Sequence, residues 1–62
     1  MIEIIEELKG IMEQKGISAE TAALFVGVTG QEIRRWLKGE YIPTLKSRRK
    51  IRRGIRRMQR VL

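Results

Sequence analysis

Apolar residues return every three or four positions through the first fifteen residues. Ile4, Leu8 and Ile11 share one helical stripe, with Ile5 and Met12 beside it, and the spacing predicts a first helix over 2–15. Glu3, Glu6 and Glu7 sit near its start, where the helix dipole favours negative charge, and Lys15 followed by Gly16 is a stop signal. Gly10 lies inside and weakens this helix by roughly 1 kcal/mol relative to alanine. Ser18 caps a second helix over 19–26, with Glu20 in its first turn and Gly27 at its end. Thr29 and Glu32 have the spacing of a capping box and open a third helix over 30–38, which stops at Gly39. Residues 39–43 form a loop, since Pro43 disfavours helical geometry at Ile42. A fourth helix follows over 44–61, with Gly54 in its interior. The whole is a small all-α domain of four helices, one domain over 1–62.

The second and third helices are short and joined by a tight turn. Ala23 supplies the small side chain that a steep helix crossing needs, and Gly27, four residues on, tolerates the positive φ of the turn. Val28, Ile33 and Trp36 anchor the third helix. At 100° per residue, Ile33 and Trp36 fall on one face of it, and Gly30, Gln31, Arg34, Arg35 and Lys38 on the other. That outer face is rich in long hydrogen-bond donors and has no acid of its own. Arg suits guanine O6 and N7, and Gln suits adenine N6 and N7, so Gln31, Arg34 and Arg35 are candidate base readers in a major groove. Gly30 lets the backbone come close to a phosphate, with the helix N-terminus aimed at it.

Charge adds a direction. The net charge is +7, but residues 1–33 carry six Glu against two Lys, and residues 34–62 carry twelve Lys or Arg against Glu40 alone. Such sorting marks a polyanion-binding half, and its arginines suit phosphate better than lysines do. Cysteine and histidine are absent, which excludes disulfides, thiolate metal sites and the commonest general base. The Glu residues of the first helix form a solvated face, not an acid–base pair. The chain therefore suggests no enzyme, metal, cofactor or small-molecule substrate. It carries no signal-like or membrane-spanning apolar run, so a cytoplasmic protein without membrane attachment is expected. A chain this short buries only about 60% of its unfolded surface, so the core is thin.

Residues 17–43, ISAETAALFVGVTGQEIRRWLKGEYIP, resemble the helix-turn-helix of the phage Cro/repressor family, also called the XRE family. The Ser-capped helix, central Ala, Gly-Val-Thr turn, Ile, Trp, Gly and Pro of that pattern are here Ser18, Ala23, Gly27-Val28-Thr29, Ile33, Trp36, Gly39 and Pro43. Residues 4–16 are similar to the family's first helix. The resemblance implies a lambda-repressor-like fold, a helix-turn-helix at 18–38, and 30–38 as recognition helix, with Gln31, Arg34 and Arg35 reading bases. It places Ser18, Lys38 and the loop residues Glu40 to Ile42 near the DNA backbone. Thr29, Gly30, Tyr41, Lys46, Arg48 and Arg49 join them as candidate backbone contacts. It also implies a transcriptional repressor or regulator of phage or bacterial type, often a homodimer on a palindromic operator in double-stranded DNA. The chain departs from the pattern at Ala19, where a phosphate-touching Gln is common, and at Arg48, Arg49 and Arg52, where the family is usually apolar. Leu37 stands where a polar residue is common and is expected either on the fourth helix or exposed near a partner.

From Lys46 to Arg60 nine of fifteen residues are basic. Ile51, Ile55, Met58 and Leu62 make one narrow apolar stripe, and Leu45 lies about 100° from it, so the helix must bend or start late to seat both. The stripe docks on the core or forms a dimer seam, and the arginines are a solvated face or phosphate contacts. Trp36 is expected in the core, not as a stacking platform, and Glu32 as a cap, not a cytosine reader. Met12 and Phe25 are expected in the core or at a subunit interface. Tyr41 is open between loop packing and phosphate contact. Two other readings stand beside specific DNA binding. One is an RNA-binding or architectural protein that recognises through the arginine-rich helix; the other is a protein-interaction module of antitoxin or adaptor type.

Overall fold

The computed structural model describes residues 3–61, so Ile2 at the start of the expected first helix and Leu62 at the end of the apolar stripe lie outside the described residues. Four helices follow in order: α1 Glu3–Lys15, α2 Ala19–Val26, α3 Gly30–Lys38 and α4 Leu45–Val61. No strand occurs among the described residues. The helix ends are set by the expected local chemistry. The Ser18 hydroxyl accepts the Thr21 N–H at 3.2 Å. Thr29 Oγ1 accepts the Glu32 N–H while Glu32 Oε1 accepts the Thr29 N–H, each at 3.2 Å, so the capping box is closed and Glu32 is a cap. Gly27 takes φ 89°, a left-handed conformation that lets its N–H and that of Val28 both donate to the Ala23 carbonyl. This turn reverses the chain from α2 into α3.

The core is built from one face of each helix. Ile4, Ile5, Leu8, Ile11 and Met12 come from α1, Ala22, Ala23 and Val26 from α2, Ile33 and Trp36 from α3, and Ile51, Ile55 and Met58 from α4, with Ile17 between. α2 packs against both α3 and α4, and α1 lies mainly on α4. Trp36 is core, as its shared face with Ile33 predicts, and Phe25 is half-buried against the same cluster. Leu37 is half-buried against the core and lines a depression with Lys9, Met12, Glu13 and Ile17. Two placements differ from the sequence reading. α4 starts one residue later than expected, with Thr44 as its cap accepting the Ser47 N–H. Leu45 is left exposed, because the docked face of α4 begins only at Ile51 and the helix need not bend to seat both.

Gly54 is buried where α4 crosses α2. A Cβ there would stand 2.6 Å from Val26 Cγ2 and 3.0 Å from Val26 Cα, so the two helices touch backbone to backbone. Gly54→Ala should therefore destabilise. Overpacking costs about 1–3 kcal/mol, and the gain in helix propensity recovers only about 1 kcal/mol of that. Gly10, with nothing within 4 Å of a built Cβ, is the opposite case. Gly10→Ala should stabilise by roughly 0.5–1 kcal/mol. Urea melts of the two variants check the pair; equal signs would show that the α2–α4 contact is not this close.

Candidate nucleic-acid interface

Anchored by Ile33 and Trp36, α3 turns Gln31, Arg34 and Lys38 outward, all exposed, with Arg35 half-exposed beside them. These four side chains and Glu40 line one shallow, mainly polar depression. The sequence predicted an acid-free face, and α3 itself carries none there. The fold, however, brings Glu40 to one edge and Glu20 of α2 to the other.

Glu20 accepts a hydrogen bond from Arg34 Nη1 and forms an ion pair with it. Gly30 makes room for this. A Cβ at residue 30 would lie 3.2 Å from Glu20 Oε2 and 3.3 Å from its Cγ. The close approach that glycine permits here is thus to the Glu20 side chain. The Arg34 hydrogen bond, the carboxylate's own backbone N–H and the Arg34 charge, in that order, hold the Glu20 carboxyl below its ordinary value of 4.5. A depressed folded pKa means the contact is complete above the ordinary carboxylate range and is lost as pH falls through the lowered value. In a pH titration followed by carboxyl NMR, Glu20 should titrate below 4.5 in the native chain and move back up in Arg34→Ala. An unchanged midpoint would show that Arg34 and Glu20 do not pair in solution.

Arg35 is oriented differently. Its guanidinium lies over the Tyr41 ring, 5.4 Å from the centroid, a cation–π contact between α3 and the 39–44 loop. Tyr41 is still 56% exposed, so the loop packing under Arg35 leaves its ring and hydroxyl open to a partner. Arg35, Trp36 and Glu32 of α3 share a groove with Tyr41, Ile42, Pro43, Thr44 and Ser47, which fixes the loop and the start of α4 beside the recognition surface.

Among the candidate backbone contacts, Lys46 and Arg49 are exposed and Arg48 is half-buried. Ser18 and Thr29 are exposed, with hydroxyls already serving as helix caps. Ala19 is half-buried against the core, so the position where a Gln is common has no polar group to offer. Sequence reasoning missed the two orienting partners, Glu20 and Tyr41. Tyr41 was singled out only for loop packing or a phosphate contact, and the one signal for Glu20 was Gly30 at the first residue of α3.

Two short helices, a glycine turn and a second helix presenting arginine, glutamine and lysine define a helix-turn-helix DNA-binding domain. The helix-turn-helix family model matches residues 8–57, and the chain belongs to that family, the Cro/repressor-like or XRE type found in DNA-binding transcription regulators. No curated protein and no solved structure matches the chain. No helix among the described residues is long and apolar enough to cross a membrane.

Proposed function

We propose that the chain binds double-stranded DNA sequence-specifically, as a transcriptional repressor of phage or bacterial type working in the cytoplasm. Its 62 residues act as one helix-turn-helix unit. α3 enters the major groove, where Gln31, Arg34 and Arg35 read base edges. Ser18, Thr29, Gly30, Lys38, Tyr41, Lys46, Arg48 and Arg49 hold the phosphate backbone on either side. The observation that carries this reading is the outward donor face of α3, with Ile33 and Trp36 buried beneath it and two of its arginines oriented by neighbouring side chains. An oriented guanidinium loses less freedom when it forms a bidentate pair with guanine. No metal, cofactor or small-molecule substrate enters this reading.

Selection of bound sequences from random duplexes should return a defined motif, and a palindromic one would identify a homodimer. Arg35→Ala should then flatten the preference at one base position, costing roughly 1–3 kcal/mol there and little elsewhere in the site. Unchanged preference in that variant would take Arg35 out of base reading.

A further inference from the structure

The exposed side of α4 has an order that the recognition surface uses only at its Arg49 end. Arg49, Arg53, Arg56 and Arg60 recur at i, i+4, i+7 and i+11, so they stand in one row along the helix. The row is opposite the docked side, where Ile51, Gly54, Ile55 and Met58 are buried, and all four arginines are exposed. Lys46, Arg52 and Arg57 flank it. At 1.5 Å per residue the row is about 16 Å long on a rigid support. Among the described residues no carboxylate lies within 4.0 Å of a basic group of α4; the one ion pair is Glu20–Arg34.

The path of α4 separates this row from α3. Its first turn, through Thr44 and Ser47, shares a groove with Arg35 and Trp36. By Gly54 the helix lies against Val26 at the end of α2, and beyond that it packs on α1 and α2 with scarcely any contact to α3. The face also says what kind of polyanion fits. It carries no aromatic side chain on which unpaired bases could stack, and its apolar residues, Leu45 and Val61, stand only at the two ends. That disfavours single strands and insertion into a lipid surface, and leaves the regularly spaced phosphates of a duplex.

We propose that Arg53, Arg56 and Arg60, in line with Arg49, form a second phosphate-binding ridge that grips a duplex segment other than the one read by α3, so that one chain bridges two stretches of DNA. The proposal rests on the helix-turn-helix reading for the first of the two duplexes. The test uses the full chain, a bead-held duplex carrying the selected motif, and a fluorescent duplex of unrelated sequence. The native chain should retain the second duplex. Arg53→Gln/Arg56→Gln/Arg60→Gln should keep its hold on the first duplex within about threefold and lose retention of the second by at least about tenfold, as expected when three phosphate contacts go. These arginines are exposed, so circular dichroism should be unchanged.

Several results would overturn the ridge. The native chain could fail to hold the second duplex. Bridging could survive the triple substitution, which would assign it to paired copies of the chain. The triple variant could lose the first duplex together with about 2.7 of its salt slope, which would put the row on the same DNA. A hairpin RNA could be held in place of the second duplex at least about tenfold more tightly, which would make RNA the partner. Arg35→Ala separates the two layers of the argument: unaltered sequence preference in that variant defeats base reading by Arg35 and leaves bridging by the ridge standing.

Discussion

Ile33→Ala should remove about 2–5 kcal/mol of stability, a large part of what the chain has, and weaken DNA binding with it. Ile33 is fully buried, on the underside of the helix that carries the recognition face. Truncating such a side chain costs about 2–5 kcal/mol, because the lost transfer energy is joined by the cavity left behind. A chain of this size has in total only roughly 3–9 kcal/mol to lose. Local propensity offers no reserve, since α3 has nine residues and isolated helices that short are marginal in water. The core also has few layers through which the loss could be spread. Ile33→Val, which removes one methylene, should cost only about 0.5–1.5 kcal/mol and keep both fold and binding. Far-UV circular dichroism during thermal melts, read beside duplex binding, tests the pair. An Ile33→Ala chain that melts within a few degrees of the native one would show that α3 is held by something other than this anchor.

The parts of the molecule legible in the sequence are those whose causes act within one or two turns. Ser18 caps α2 and Thr29 with Glu32 caps α3 through bonds that span three residues, and Gly27 closes the turn through the carbonyl of Ala23. The core stripes of α1 and α4 follow from helical periodicity alone, and so does the opposition between Ile33 and Arg34. What the sequence left hidden depends on how helices meet. Glu20 and Arg34 are fourteen residues apart and pair only because α3 crosses the start of α2. Gly54 resembles an ordinary weak point in a helix until Val26 is found pressed against it. Periodicity names the face of a helix, and the crossing angle chooses what that face meets. Tyr41 is an intermediate case, since its loop was legible and the arginine above it was not.

Duplex affinity should fall steeply with salt, in proportion to the phosphates that the reading surface neutralises. Lys38, Lys46, Arg48 and Arg49 are the charged groups assigned to backbone on that side of the molecule, and among the described residues none of them has a carboxylate within ion-pairing distance. Each phosphate neutralised releases condensed counterions and contributes about −0.9 to the slope of log affinity against log salt, so four contacts predict about −3.6. Between about 50 and 200 mM salt this amounts to a loss of roughly 150-fold. Single Lys46→Gln or Arg49→Gln changes should reduce the slope by about 0.9 each and weaken all sequences alike, whereas Arg35→Ala should change the preference at one position. The two kinds of variant therefore divide the interface into what positions the protein and what reads the sequence. Arg34 is the informative middle case. Its charge is already met by Glu20, so removing both side chains together should change the slope little, while Glu20→Gln alone should steepen it by leaving an unpaired cation in the interface. Titrations of a labelled duplex at four or five salt concentrations resolve these slopes. A slope near zero in the native chain would mean that the arginine-rich half of the molecule does not face DNA at all.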